Sequence, residues 1–342
     1  MKLRGAISGF GEVAARAHLP GWCTRDNVNI SAVHDPVAER RHEAIRLIKS
    51  VRVYDDLRLM LDGEAVDFVD IASPPALHAR SIRAALEAGA HVLVEKPLCL
   101  DFGEFHRLKR LAVEKRRVLM CVHNWKYAPP YAAARRAIEQ GRLGEVWSIT
   151  IDRLRTEPAG AGGAGGKWRT SSASGGGILI DHGWHVFYLM HWLLGGATPF
   201  SISARLETPA GCEVDEVARV NILFENGVTA KSHLSWRASS RRTSAKILGA
   251  LGLMVIEGDR VILSKMDGST EDLSAPDVAA DSYHPAWFGG VAEEFEQAVA
   301  TGPDSIVARQ NLAEAGAAIG MIAAARESAT IGGEDVDMPK VT

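Results

Sequence analysis

Short apolar segments, each followed by a turn and a helical pattern, recur through the first part of the chain. They cover residues 2–8, 29–34, 65–72, 92–94 and 118–122. Apolar runs of this length that alternate with helical stretches are typical of strands buried in a parallel sheet. The sequence therefore predicts an α/β N-terminal domain, in which ligands bind beyond the carboxyl ends of the strands.

A glycine-containing turn follows the first of these segments. It reads Gly9-Phe10-Gly11-Glu12-Val13. Gly11 lets the backbone approach a pyrophosphate, and the next helix offers N–H groups and a partial positive charge at its start. An ordinary strand–helix turn is the alternative. Asp35 follows the second segment, about 20 residues further on, where a dinucleotide site places an acid for the ribose diol, and this favours a cofactor site.

Asp35 also bears on which cofactor binds. A carboxylate there accepts hydrogen bonds from both ribose hydroxyls and repels a 2′-phosphate, so NAD is favoured over NADP. Two alternatives stay open. Asp35 caps the helix that begins near Val37, or Arg40 or Arg41 turns back to accommodate the phosphate of NADP.

The fourth apolar segment delivers a lysine to its carboxyl end. Val92-Leu93-Val94 runs directly into Glu95-Lys96-Pro97. A lysine at this end of a parallel strand, followed by a stiff proline, is a candidate catalytic group. Taken alone, a lysine after a strand is usually only a surface charge.

A second cluster of titratable residues lies within residues 174–185. Asp181 and His185 are four residues apart, which places both side chains on one helical face. The three glycines before them let the backbone pass tightly beneath a ligand. An imidazole accepts protons at neutral pH, and nearby charges adjust its pKa. One alternative is that His185 is a structural, half-buried histidine whose hydrogen bonds are made within the protein. Another is a metal site formed by Asp181 and His185 together with His182 and His191. His191 falls on a different face, so no metal is expected.

Together these motifs resemble the Gfo/Idh/MocA family of glucose-fructose oxidoreductase and inositol dehydrogenase. The resemblance rests on the glycine turn, Ser73-Pro74-Pro75 with His78, Ala88–Val92 running into Glu95-Lys96-Pro97, residues 174–185 and the closing segment 314–338. It implies an NAD(P)-dependent oxidoreductase acting on CH–OH groups, assembled as a homodimer or homotetramer. Phe187 stands where the family commonly has an Asp, which leaves the hydrogen bonds around His185 open.

The strand pattern changes after residues 123–130, where prolines interrupt it. We expect a Rossmann domain over residues 1–123 and a substrate-binding and oligomerisation α+β domain over residues 124–342, with a C-terminal helix near 311–328. Strand patterns beyond the boundary cover residues 146–154, 202–207, 217–224, 228–236, 245–248, 253–257 and 261–264. Asn226-Gly227 is a hairpin signal, so the second domain is predicted to have an open, mainly antiparallel sheet.

These expectations give candidate site residues in three groups. The predicted catalytic residues are Lys96, Asp181 and His185. The predicted cofactor-binding residues are Gly9, Phe10, Gly11, Glu12, Val13, Asp35, Ser73, Pro74, His78, Glu95, Lys96 and Asn124. The predicted substrate-binding residues are Lys96, His123, Lys126, Tyr127, Trp168, Arg169, Asp181, His182 and His185.

The predicted reaction is reversible hydride transfer between the nicotinamide C4 and a hydroxyl or keto carbon of a sugar, polyol or sugar derivative. His185 accepts the hydroxyl proton, Lys96 stabilises the oxygen, and Asp181 orients the site. Lys126 and Arg169, if they face inward, favour a substrate with a carboxylate or phosphate. Two other functions stay open: a redox-neutral NAD-assisted epimerase or glycosidase, and a non-catalytic nucleotide-sensing protein.

Composition excludes several classes of partner. Hydrophobic residues make up 46% and charged residues 24% of the 342-residue chain, as in globular proteins, and a formal net charge of −3 provides no basic field for nucleic acid. No apolar run approaches the roughly 18 residues that span a membrane. The first strand follows Met1 without room for a signal peptide, so we expect a cytoplasmic protein with reduced cysteines.

The segment of residues 157–167 consists almost entirely of glycine and alanine. Such a segment has few side chains that pack and is typical of a mobile loop. It is either a lid over the substrate, with Trp168 and Arg169 at its base, or an insertion that never touches the ligand.

Overall fold

A computed structural model describes residues 2–160, 164–275 and 283–339. The described residues form two compact units. The first contains the residues up to 124 and returns at 283–313, and the second contains residues 125–275 and 314–339. The first unit thus takes in a late segment that a single boundary near residue 123 does not anticipate.

The first unit is built on a six-stranded sheet. Its strands are β1 (Leu3–Ser8), β2 (Val28–His34), β3 (Arg52–Tyr54), β4 (Phe68–Ile71), β5 (His91–Val94) and β6 (Leu119–Cys121). They lie in the order β3-β2-β1-β4-β5-β6, and every pair is parallel. The predicted Rossmann architecture is confirmed.

Helices alternate with these strands, as the sequence predicts. They are α1 (Leu19–Cys23), α2 (Ala38–Leu47), α3 (Leu57–Gly63), α4 (His78–Glu87) and α5 (Phe102–Lys115). A π-helical segment, Ala14–His18, precedes α1. Because all six strands are parallel, the glycine turn, Asp35, Ser73 and Lys96 follow strands at the same edge of the sheet.

The second unit contains a nine-stranded sheet. Its strands are β7 (Val146–Leu154), β8 (Pro199–Glu207), β9 (Val217–Phe224), β10 (Thr229–Ser235), β11 (Arg242–Gly249), β12 (Gly252–Glu257), β13 (Arg260–Lys265), β14 (Thr270–Asp272) and β15 (Val336–Asp337). Among the pairs formed by described residues, only β7 with β10 is parallel. The predicted mainly antiparallel sheet is confirmed, and Gly227, at φ +82°, closes the β9–β10 hairpin.

The helices of the second unit include α6 (Pro129–Glu139) and α7 (Trp184–Leu193). A π-helical turn, Leu179–Gly183, leads into α7. Helix α7 is apolar around most of its circumference and is almost completely buried, as expected of a helix enclosed in a protein core.

Two further helices come late in the chain. Helix α8 (Pro285–Thr301) belongs to the first unit, where its Phe288 and Phe295 pack against Trp22. Helix α9 (Ile306–Thr330) belongs to the first unit up to Ala313 and to the second from Glu314. No helix in the described part of the chain is long and apolar enough to cross a membrane. Residues 161–163 of the glycine-rich segment lie outside the described residues.

Candidate functional site

The two glycines of the first turn meet different surroundings. Gly9 has a φ of +92°, and a Cβ there would lie 2.6 Å from the backbone nitrogen of Ser73. Glycine is therefore required at position 9, because the first turn packs closely against the loop that contains Ser73. A Cβ on Gly11 would meet nothing within 4 Å, so Gly11 and the first N–H groups of the following helix are open to a pyrophosphate.

Asp35 is buried and binds the backbone at the end of β2. One carboxylate oxygen accepts a hydrogen bond from the Phe10 N–H (2.7 Å), and the other accepts one from the Val37 N–H (2.8 Å). Asp35 thus holds the glycine turn and the start of α2 together. Each oxygen keeps a second lone pair, which is what a ribose hydroxyl would need.

The arginines beside Asp35 are engaged within the protein. Arg40 forms ion pairs with Glu12 and Glu43, and Arg41 donates to the backbone carbonyls of Asp35 and Pro36. Neither guanidinium is held ready for a 2′-phosphate, in keeping with NAD rather than NADP.

His78 links the Ser73-Pro74 loop to the segment that carries Lys96. It is fully buried, and its two ring nitrogens lie 2.7 Å from the carbonyl oxygens of Pro97 and Ser73. Burial lowers the pKa of His78, and the two carbonyl contacts oppose this. Through these two contacts the imidazole holds the Ser73 and Pro97 loops together. The peptide bond between Lys96 and Pro97 is cis.

A buried charge network leads to the residue before Lys96. His18 lies between Asp70 on β4 and Glu95, with nitrogen–oxygen distances of 3.0 Å to each, and it stacks on Phe288 at 4.0 Å. Burial alone would lower the pKa of His18, but the two carboxylates raise it to about 10. The other oxygen of Glu95 accepts the Lys96 N–H at 2.9 Å. The sequence analysis missed His18 and Asp70 because they meet only in the folded chain.

In the second unit, Asp181, His182 and His185 are all buried, with 1%, 4% and 7% of their surfaces exposed. Asp181 forms an ion pair with Arg169 at 3.1 Å and lies 3.5 Å from His182. The π-helical turn and α7 therefore carry three of the residues expected from sequence, and the ion pair with Asp181 adds Arg169.

The glycines before this turn are used by the protein's own backbone. A Cβ on Gly176 would lie 2.3 Å from the carbonyl oxygen of Arg169, and one on Gly177 would lie 2.3 Å from Asp215. The sequence analysis assigned these glycines to a backbone lying beneath a ligand. In the structure they instead fix the Trp168-Arg169 segment against Asp181's helix.

His185 packs against an aromatic cluster that the sequence analysis did not name. Its ring stacks on Trp125 at 4.7 Å, and its Nδ1 lies 3.3 Å from the hydroxyl of Tyr188. The backbone N–H of Trp125 donates a hydrogen bond to the same hydroxyl at 2.9 Å. Tyr188 stands three residues after His185, so the helical period would have indicated it.

Arg153 also contacts this cluster. Its guanidinium lies 3.8 Å from the centre of the Trp125 ring, and Tyr131 stacks on the same tryptophan at 5.9 Å. Arg153 stands on the face of β7 that also buries Ile149 and Ile151. Its alternation in the strand places it inward, a signal that the sequence contained but the analysis did not use.

The segment after β6 carries the remaining expected residues. Lys126 is buried in an ion pair with Glu314 at 3.1 Å. His123 is fully buried, whereas Asn124 and Tyr127 are partly exposed. Among the described residues, no group of three or more His, Cys, Asp or Glu side chains is arranged to hold a metal ion.

Two family models match the chain. The NAD-binding Rossmann fold of the oxidoreductase family matches residues 3–123, and the GFO/IDH/MocA C-terminal domain matches residues 131–255. The chain belongs to the Gfo/Idh/MocA family. The resemblance expected from the motifs is thereby confirmed, as is an NAD-binding first domain.

Characterised members of the Gfo/Idh/MocA family resemble the chain over different lengths. D-glucoside 3-dehydrogenase of Escherichia coli is 31% identical over 202 residues, 59% of this chain and 57% of that protein. D-apiose dehydrogenase of Paraburkholderia graminis is 27% identical over 283 residues, 80% of this chain and 73% of that protein. The chain thus spans little more than half the length of the first of these relatives.

A solved structure of a family member shares the fold. Levoglucosan dehydrogenase in complex with NADH and levoglucosan has a TM-score of 0.87 at 22% identity, covering 100% of both chains. At this identity the likeness establishes the fold and leaves the substrate to be argued from the side chains.

Proposed function

We propose that this protein is an NAD-dependent dehydrogenase that acts on a CH–OH group of a sugar, a polyol or a derivative of one. The observation that carries the proposal is the burial of an acid–base set, Asp181 and His185, in a chain whose NAD-binding domain ends a parallel strand with Lys96. Buried acid and base side chains that lie close together in the chain are candidates for a catalytic site.

When bound, NAD would supply the hydride acceptor, and the residues of the chain supply binding and proton transfer. Gly11 and the following N–H groups bind the pyrophosphate, and Asp35 binds the ribose diol. Glu95 and His78 act through the loops that they hold, since their contacts lie within the protein.

His185 acts as the general base. The Tyr188 oxygen can accept hydrogen bonds from both the Trp125 backbone N–H and the His185 Nδ1–H, and the neutral imidazole oriented in this way accepts the hydroxyl proton of the substrate. Lys96 donates a hydrogen bond to the same oxygen and stabilises its developing negative charge. Asp181, held by Arg169, orients the histidine region.

The substrate class is proposed from the same residues and from the relatives. Trp125 and Trp168 offer rings for the C–H faces of a sugar, while His182 and Tyr127 offer polar groups for its hydroxyls. The relatives are named for a glucoside and an apiose.

A panel of sugars, inositols, sugar acids and nucleotide sugars tests this function. Each compound is supplied with NAD and with NADP, and reduced nicotinamide is followed by absorbance. We expect NAD reduction by at least one class, with NADP used less well. Absence of hydride transfer across the panel, from protein shown to bind NAD, would contradict the proposal.

The assembly and location are part of the same proposal. We propose a homodimer or homotetramer that associates through the outward face of the nine-stranded sheet, where Leu223 and Leu248 are exposed. The proposed location is the cytoplasm, with Cys23, Cys99, Cys121 and Cys212 as free thiols.

A further inference from the structure

The second unit contains a buried arginine, Arg153, whose guanidinium lies on an aromatic ring and is not paired with a carboxylate of the described residues. None of the described residues accepts a hydrogen bond from Arg153 or forms an ion pair with it, and its Nε is buried. Burial, followed by the nearby Arg155, lowers the pKa of Arg153 well below its ordinary value. A guanidinium has five N–H donors and no acceptor, and burying it unpaired is costly.

The other inward cations of this unit are already occupied. Lys126 is paired with Glu314, and Arg169 is paired with Asp181. Arg155 donates to the carbonyls of Leu154 and Arg242 and to the hydroxyl of Thr243. The two residues that the sequence singled out for a charged substrate are therefore held in place by the protein. Of the four inward cations named for the described part of this unit, Arg153 is the one without a hydrogen bond or ion pair.

Other donors without acceptors lie in the same region. The hydroxyl of Tyr131, which shares the Trp125 ring with Arg153, is buried and has no partner among the described residues. The same holds for the indole nitrogen of Trp236, whose ring contacts His182 at 5.9 Å. Buried donors are normally hydrogen-bonded, so donors without an acceptor are consistent with a ligand that supplies one.

We infer that the substrate carries an anionic group, a carboxylate or a phosphate, and that Arg153 binds it. This inference rests on the proposed dehydrogenase function and narrows its substrate class to sugar acids or sugar phosphates. Trp125 connects Arg153 to His185, so the anion lies near the imidazole that accepts the proton. A planar guanidinium matches two oxygens of a carboxylate or a phosphate, which a neutral hydroxyl cannot offer.

Matched substrates test the inference. Glucose, galactose and mannose are each compared as the neutral sugar, the uronic acid and the 6-phosphate, in the NAD-bound enzyme. We expect kcat/KM for one anionic series to exceed that for the neutral sugars at least about tenfold, since charge-assisted hydrogen bonds contribute this much or more. The uronic acid and phosphate arms identify which anion is preferred.

Variants assign the preference to Arg153. In Arg153→Met the preference falls about ten- to a hundredfold, mainly through a raised KM for the anion. Arg153→Lys keeps the positive charge but loses the planar guanidinium, so it should retain part of the preference for the anion. Arg219→Met removes an exposed arginine paired with Glu207 and leaves the preference unchanged. Equal use of neutral and anionic sugars, or a preference that survives Arg153→Met, would overturn the inference while leaving the dehydrogenase function intact.

Binding separates the two proposals if no compound is oxidised. Calorimetric titration of the uronic acids and 6-phosphates into the NAD-bound protein then measures recognition without turnover. Binding by the wild type that is lost in Arg153→Met supports the anion site although the dehydrogenase proposal has failed. Binding that is equal in both proteins, or absent in both, overturns the anion site.

Discussion

At the scale of single residues, the first unit is organised around a charged histidine. His18 is enclosed by Asp70, Glu95 and the ring of Phe288, and Trp22 adds a hydrogen bond to Asp70 at 2.7 Å. Through Glu95 this network fixes the backbone of Lys96. The imidazolium of His18 lies between the carboxylates of Asp70 and Glu95 and compensates the negative charge of both.

The pH dependence of stability tests the charge on His18. Its pKa is about 10 in the folded protein, against an ordinary value of 6.5. The charged ring therefore stabilises the fold fully below pH 6.5, and this contribution is lost as the pH rises toward 10. His18→Phe should lower the free energy of unfolding by about 3–5 kcal/mol near pH 6.5, because it leaves buried carboxylates unpaired.

Urea unfolding between pH 6.5 and 10 measures the free energy of unfolding of the wild type and of His18→Phe. The control is His42→Gln, at an exposed position on α2. The gap between wild type and His18→Phe should narrow as the pH rises, while the control tracks the wild type. A gap that stays constant would mean that the buried ring is neutral.

The proposed preference for NAD over NADP depends on one residue, Asp35. Asp35→Ser removes the carboxylate proposed to bind the ribose diol and to repel a 2′-phosphate. We expect KM for NAD to rise about tenfold, the loss of one charged hydrogen bond, and KM for NADP to change less. Arg46→Ser, on the same helix as Arg40 and Arg41, serves as a control for surface charge. An unchanged ratio of the two KM values would remove Asp35 from cofactor selection.

At the scale of elements, the turn into α7 depends on close contacts of glycine. Gly177 has a φ of +113° and lies against Asp215, whereas Gly211 has a φ of +83° and meets nothing within 4 Å. The positive φ disfavours a side chain at both positions, but only at Gly177 would a Cβ also clash with Asp215. The carboxylate of Asp215 accepts the Leu179 N–H at 2.8 Å, so displacing it disturbs the turn that carries Asp181.

Alanine substitutions at these two glycines form a matched pair. Gly211→Ala should lower the free energy of unfolding by about 1 kcal/mol through backbone strain, and Gly177→Ala by about 1–3 kcal/mol more through the clash. Thermal unfolding of both variants checks this. Equal losses would show that Asp215 moves aside without cost.

Local patterns predicted most elements of both sheets, because buried strands and hairpin turns leave short-range signals. The β9–β10 hairpin around Asn226-Gly227 is an example. Strand β15 pairs through only two residues and lacks such a signal. No helix was predicted over α8, whose Phe288 and Phe295 have their partners in the first 70 residues.

The candidate site was predictable to the extent that its motifs are local. Asp35, Lys96, Asp181 and His185 were found from strand ends and helical spacing. Arg153 was not, because a strand pattern gives no indication that an inward arginine lacks a partner. The ion pair that occupies Lys126 joins residues far apart in the chain, so sequence alone could not reveal it.

At the scale of the whole molecule, the outward face of the nine-stranded sheet is the surface proposed for self-association. Leu248 on β11 is 41% exposed between the buried residues Ile247 and Gly249. Leu248→Glu should shift the assembly to a smaller species, because a charge buried at an interface without a partner is costly.

Light scattering coupled to size-exclusion chromatography measures the assembly. The control is Leu59→Glu, at a leucine of α3 that is 60% exposed, and it should match the wild type. A monomeric wild type, or an assembly unchanged by Leu248→Glu, would contradict association through this face.

The central proposal is that the oxidation of the alcohol by NAD requires both Lys96 and His185. Single-turnover rates of NAD reduction with the best substrate test it in Lys96→Met and His185→Ala, with His191→Gln on the same helix as control and NAD affinity measured by fluorescence. The account predicts a loss of about 100- to 10,000-fold in each of the two variants with NAD binding retained, the range expected when an acid–base group is removed. A near-normal rate in either variant would contradict it.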